Sequence, residues 1–227
     1  MTLTDKPSTG DLAPVATSSP RLVRATLLAA VIVIAVVAGV LVGRITGNST
    51  PEDNSVDAGF ARDMSVHHSQ AVDMSFLVTD RTTSSEIKVL TYDIALTQQE
   101  QIGRMKGWLI VWQLSPTGSR PAMAWMTDGH QGHGGTAMAL LPDGRMPGMA
   151  TSADLDKLRS LTGRPAEVLF LQLMVVHHRA GAQMARHAAK HADTAYVREL
   201  ATVIAAGQTA EIEVLQDKLR ARGAAPA

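Results

Sequence analysis

The sequence predicts an all-α protein, a four-helix bundle made of two duplicated helical hairpins with a long crossover, preceded by one transmembrane helix. Three observations predict it. A shift of 110 residues superposes two long segments without a gap, apolar residues in both segments recur at helical spacing, and a continuous apolar run of membrane-spanning length comes before them. No segment shows sustained period-two alternation, which disfavours a strand-rich fold.

Residues 1–20, rich in Thr, Ser, Pro, Gly and Asp, read as a disordered cytoplasmic tail. Residues 21–44 read as the anchor, since from Leu22 to Val42 only Arg24 and Thr26 are polar. About 20 apolar residues rising 1.5 Å each span a hydrocarbon core. Lys6, Arg21 and Arg24 precede the run and Glu52, Asp53 and Asp57 follow it. The positive-inside rule then places the N-terminus in the cytoplasm and residues 45–227 outside, in a single-pass arrangement. A cleaved signal peptide is the competing reading, but no good small-x-small site follows the run. Residues 45–56 read as a linker.

The duplicated domain is expected over 57–222. Phe60 falls on Phe170, Met64 on Met174, His67-His68 on His177-His178 and Met74 on Met184. Leu90 meets Leu200, Ile94 meets Ile204, Gln98 meets Gln208 and Leu109 meets Leu219. Chance does not place so many matches on one offset. In the first hairpin, 57–114, Phe60, Met64, His67, Ala71 and Met74 form one helical stripe. A break follows at Thr79–Ser85, where Thr83 and Glu86 form a capping-box signature, with Asp193 at the matching position in the second copy. Ile87, Leu90, Ile94, Gln98, Ile102, Met105 and Leu109 then share one face of the next helix, which Ser115-Pro116-Thr117-Gly118 ends. The second hairpin, 167–221, repeats the pattern. Each hairpin alone leaves an apolar stripe exposed, and stacking the two buries both. The crossover, 115–153, is rich in Gly, Pro and Met, with a short helix expected near Ala153–Leu161.

Lys plus Arg and Asp plus Glu both number 21, so no basic field points to nucleic acid and no acidic field to a cationic partner. With no Cys, disulfides, thiolate metal sites and Cys nucleophiles are excluded. Eleven Met and 8 His are many for this length, and they cluster. At 100° per residue, His67 and Met74 lie on one edge of the buried stripe and His68 and Asp57 on the other, while Met64 lies near its centre. The second copy offers Glu167, Met174, His177, His178 and Met184 in the same places. Imidazole ligates copper, zinc, iron and nickel, and thioether favours Cu(I). His67, His68, Met74, His177, His178, Met184, Met64 and Met174 are therefore the candidate metal ligands, if the pseudo-symmetry brings the His pairs to one level. The bland alternative makes the Met residues core filler and one His of each pair a satisfied core or surface residue.

A second cluster in the crossover comprises Met123, Met126, His130, His133, Met138, Met146 and Met149. Soft-metal capture is one explanation, and a hydrophobic plug formed by Met146–Met149 is the other. A third group is Met184, His187 and His191, in which the two His at i, i+4 can share one ion; the first copy has Leu77 and Arg81 there. Gln98 and Gln208 could bond the free nitrogen of a ligand His, or simply each other's helices.

FARDMSVHHSQAVDMS and EVLFLQLMVVHHRAGAQMA, joined by MPGM, resemble the bacterial domain-of-unknown-function family 305 over about Asp57–Leu219. The resemblance implies a ferritin-like four-helix bundle, usually secreted or membrane-anchored, with some members similar to periplasmic copper-binding proteins that support copper tolerance. Carried over by position, it implies His67, His68, Met74, His177, His178 and Met184 as the shared constellation. Glu167 stands where the family pattern has Asp, which puts the role of that carboxylate in doubt.

The function expected is extracytoplasmic copper binding for buffering or tolerance, with the membrane engaged only through the N-terminal helix, and binding through neutral His should weaken as pH falls through about 6.5. One alternative is a ferritin-like di-metal oxidase, but its sites need Glu-x-x-His motifs that do not occur here. The other is a structural interaction module, which leaves the Met- and His-rich crossover unexplained. No nucleophile-base pair, phosphate loop or zinc-protease motif suggests an enzyme.

Overall fold

The computed structural model describes residues 33–37, 50–127 and 138–225. The chain divides into a unit ending at Ser49 and a unit beginning at Thr50. In the first, residues 33–37 are helical, with Val33, Ile34, Val36 and Val37 exposed. The rest of the expected anchor over 21–44, and the tail before it, lie outside the described residues. Among the described residues no helix is long and apolar enough to cross a membrane.

The second unit is all-helical among its described residues. Its helices are α1 (Val56–Thr79), α2 (Ser85–Val111), α3 (Ser152–Ser160), α4 (Gly163–His191) and α5 (Ala195–Ala221), with a 3₁₀ turn at Ala124–Met126. α1 pairs with α2 and α4 with α5 as two hairpins, and α1 packs against α4. Two apolar clusters show how α1 and α4 run. Phe60, Met64, Met105 and Leu109 share one cluster with Met184, Ala185, Leu200 and Ile204. Ala71, Met74, Ile87 and Ile94 share the other with Phe170, Met174, Leu215 and Leu219. The start of α1 therefore meets the end of α4, and the 110-residue repeat becomes a pseudo-twofold relation that exchanges the clusters. Phe60, Phe170, Met64, Met74, Met174 and Met184 are fully buried. Burial of side chains of this size stabilises the fold by about 1.5–3 kcal/mol each.

The hairpin turns are capped one residue later than the sequence signature suggests. The N-cap of α2 is Ser84, whose side chain accepts from the Ile87 amide, not Thr83. The N-cap of α5 is Thr194, not Asp193, and its side chain makes no cap bond. Asp57, from the other hairpin, holds the residues that lead into α5: it accepts from the Asp193 amide at 2.8 Å, from the Thr194 amide at 2.9 Å and from the Thr194 hydroxyl at 2.5 Å. Glu167 reciprocates in the first hairpin's turn, accepting from the Thr82 hydroxyl at 2.5 Å and from Arg222 Nε at 2.6 Å. α4 begins at Gly163, four residues before Glu167, because Pro165 is well placed in a first helical turn. α3 matches the short helix expected in the crossover, and its Thr151–Asp154 pair forms a full capping box.

Candidate metal centre

Between the two apolar clusters lies a layer of four imidazoles. His67 and His68 come from the middle of α1, and His177 and His178 from the middle of α4. Adjacent histidines on a helix diverge by 100°, so one of each pair faces the opposite hairpin and the other faces its own hairpin partner. His67 and His177 meet across the pseudo-twofold, with ring centroids 3.8 Å apart and planes tilted by 34°. The His177 and His178 rings are 6.1 Å apart. All four side chains are fully buried.

Every Nε2 in the layer faces an oxygen acceptor. His67 Nε2 donates to the Pro147 carbonyl at 3.3 Å and His177 Nε2 to the His67 carbonyl at 3.0 Å. His68 Nε2 donates to Gln101 Oε1 and His178 Nε2 to Glu211 Oε2, each at 2.7 Å. These acceptors fix the proton on Nε2 and leave each Nδ1 with a free lone pair. All four Nδ1 atoms are buried without a hydrogen-bond partner. Burial disfavours the imidazolium. It pushes His67 down to about 4 and His68 to about 3, and holds His177 well below the usual imidazole range, with neighbouring histidines adding to all three shifts. His67, His68 and His177 are thus held as neutral imidazoles presenting unprotonated nitrogen.

The candidate methionines flank the layer. Met64 and Met184 sit on one side of it, and Met74 and Met174 on the other. Among the described residues no group of three or more His, Asp or Glu side chains forms a ready-made metal cage. The carboxylates expected beside the core face, Asp57 and Glu167, are occupied at the hairpin turns. Gln98 and Gln208 are buried, but neither side-chain amide atom of either residue has a partner, so they hold neither a histidine nor each other's helices. Gln101 and Glu211, one turn further on, hold His68 and His178 instead. Sequence reasoning passed over this pair, although it carries a legible signal: both lie 33 residues after their histidine and 110 residues from each other.

The crossover closes over the layer. Met123, Trp125, Met126 and Met146 are buried in the first apolar cluster, and Met138 and Met149 pack against it, which is the arrangement of a hydrophobic plug. Gln70 clamps Ala150 by both backbone groups. Gly148 sits at φ +81°, where a Cβ would lie 2.5 Å from that of Ala180, so only glycine lets the MPGM segment approach α4 this closely. Buried Asp63 accepts from the Met123 amide at 2.6 Å and from Trp125 Nε1 at 2.7 Å. His130 and His133 lie outside the described residues.

Residues 57–219 match the domain of unknown function DUF305. No curated protein matches the chain by sequence. Among solved structures, a DUF305 protein from Streptomyces coelicolor is 44% identical with a TM-score of 0.69, the alignment covering 78% of this chain and 99% of that one. A DUF305 fragment from Deinococcus radiodurans is 27% identical with a TM-score of 0.57, over 72% of this chain and 95% of that one. CopM in its Cu(II)-bound form is 25% identical with a TM-score of 0.51, over 73% of this chain and 96% of that one. A match over most of the chain, together with the duplicated His-His/Met pattern and the MPGM segment, assigns the protein to its family: it belongs to DUF305.

Proposed function

We propose that this protein binds copper ions at the four-histidine layer, with the flanking methionines as auxiliary ligands for Cu(I), and that it buffers or sequesters copper outside the membrane. The observation that carries the reading is the set of four buried Nδ1 lone pairs, each aimed by an Nε2 hydrogen bond to oxygen. Each unmet buried acceptor costs about 1–3 kcal/mol, and a ligated cation removes that cost. The pattern of one ring nitrogen anchored and the other free is the one that orients histidine for metal. Because the His67 and His177 rings stack instead of converging, an ion enters by side-chain rotation within the layer. Copper suits the donor set, since Cu(II) takes imidazole, Cu(I) takes thioether, and copper heads the divalent affinity order. The Cu(II)-bound state of CopM supports the same choice. A di-metal oxidase is less well supported, because Asp57 and Glu167 are engaged at the hairpin turns.

The test is copper titration of the metal-free full chain against a variant with His67, His68, His177 and His178 all replaced by Ala. The tightest copper site should disappear, and the wild type should prefer copper to zinc at neutral pH. Far-UV circular dichroism checks folding, and the milder pair His68→Gln and His178→Gln replaces the quadruple variant if it does not fold. Undiminished tight binding in a folded variant moves the site elsewhere, and a wild type that takes up no copper favours the structural module.

A further inference from the structure

Among the described residues, a further pair of imidazoles lies outside the histidine layer. His187 and His191 lie in the last turns of α4, nine and thirteen residues beyond His178. At 1.5 Å per residue that is about 14 Å and 20 Å along the helix axis, too far to share an ion with the layer. Their ring centroids are 4.5 Å apart, with planes tilted by 35°. Histidines at i and i+4 lie one above the other on a helix face, so two imidazoles of this spacing can chelate one ion. Both side chains are half-buried.

Trp125 walls the pair on one side. Its ring meets that of His187 edge to face, at 5.5 Å and 67°. Trp125 is itself held on three sides. It lies against Gly59, where a Cβ would come within 2.5 Å of the indole; Phe60 packs edge-on at 5.9 Å; and Nε1 donates to Asp63. A side chain fixed in this way restricts His187 to few rotamers, which lowers the entropy lost on chelation. The negative end of the α4 dipole lies at His191 and also favours a cation.

The pair also breaks the internal repeat. The first copy carries Leu77 and Arg81 at the matching positions, and its helix α1 ends without them. The helical scaffold therefore does not need histidine there. Asp63 and Trp125, which build the wall, likewise have no role in the second copy, where Leu173 replaces Asp63.

We infer that His187 and His191 form a second metal site, independent of the histidine layer, that takes a divalent ion of the copper, nickel or zinc class as a two-imidazole chelate beside Trp125. Cu(II) is the member bound most tightly, by the affinity order of the series. The inference does not rest on the layer binding metal. Its test is titration of the full chain with Cu(II), reading bound metal by equilibrium dialysis and tryptophan fluorescence together. Cu(II) beside an indole quenches it, so a binding event at this pair should quench the Trp125 contribution. The variant His187→Leu/His191→Arg carries what the first copy carries and should fold. It should bind one Cu(II) fewer per chain than the wild type and lose the quenching attached to that ion. A second variant, His68→Gln/His178→Gln, perturbs the layer and should keep both. Unchanged stoichiometry and quenching in His187→Leu/His191→Arg would overturn the inference. So would loss of the quenching event in the layer variant, provided that variant keeps its helical spectrum. If the wild type binds a single ion that the layer variant retains, the layer reading fails and this one stands.

Discussion

At the scale of residues, the histidine layer is governed by burial. Ordinary imidazole titrates near 6.5, and from sequence alone metal release is expected as pH falls through that value. The structure moves the expectation. His67 and His68 are pushed down to about 4 and about 3, so protons compete for these ligands only under much stronger acid. The same burial has a consequence for stability. An unfolded chain protonates these imidazoles below about 6.5, while the folded chain does not, so the unfolded state gains protons first. Stability is thus fully present above 6.5 and is lost as pH falls from 6.5 towards 4. Each imidazole contributes a slope approaching about 1.4 kcal/mol per pH unit in that window. Guanidinium unfolding of the chelator-treated protein at pH 7.5, 6.0 and 5.0 should show a falling midpoint. A midpoint that does not move over this range would mean that His67, His68 and His177 are not held neutral in the apo fold.

At the scale of elements, each hairpin is closed by a carboxylate from the other. Asp57, buried in the first turn of α1, caps the N-terminus of α5, and Glu167 in the first turn of α4 grips the turn before α2. These contacts bind the two copies together at both ends. Replacing Asp57 by Ala strands two amides and a hydroxyl, and should cost about 2 kcal/mol. In a domain of this size the melting temperature should fall by roughly 4–8 °C. A fall of less than a degree in thermal denaturation would show that water replaces the carboxylate at no cost. This clasp marks a boundary of what the sequence makes legible. Helices, repeat and histidine pairs follow from period and offset, because each Phe, Leu, Ile or His is read against its own helix. Asp57 looks like one more core-edge carboxylate by the same reading. Its partners are 136 and 137 residues away, and only packing reveals them. Gln98 and Gln208 fail for the same reason: both stand on the buried face, but the helix rotation that points Gln101 and Glu211 at His68 and His178 is set by tertiary contacts.

At the scale of the whole molecule, the crossover breaks the twofold and gives the domain one distinctive end. Met64, Met105, Met123, Met126, Met146 and Met184 are buried there, while Met74 and Met174 are the methionines of the opposite cluster. A protein that presents soft sulfur and neutral imidazole without a single Cys is chemically suited to copper in a compartment where thiols oxidise. An extracytoplasmic compartment is also what the charge pattern of the sequence predicts. Glu52, Asp53 and Asp57 follow the apolar run, but Asp53 pairs with Arg62 and Ser119, and Asp57 caps α5, so these acids have structural reasons to be where they are. Acidic residues in any case contribute little to orientation, and the weight falls on Lys6, Arg21 and Arg24, which precede the run. By the positive-inside rule those three predict an N-terminus in the cytoplasm and a helical domain outside. The absence of Cys makes the prediction simple to test, because one introduced thiol is the only one in the chain. Glu213 is exposed on α5 and is not among the residues of either proposed metal site. In intact cells, the full chain carrying Glu213→Cys should react with a membrane-impermeant maleimide, and it should fractionate with membranes after alkaline extraction. Labelling that occurs only after lysis would reverse the orientation and remove the extracytoplasmic role. Labelling in intact cells with release by alkali would keep the compartment and discard the anchor.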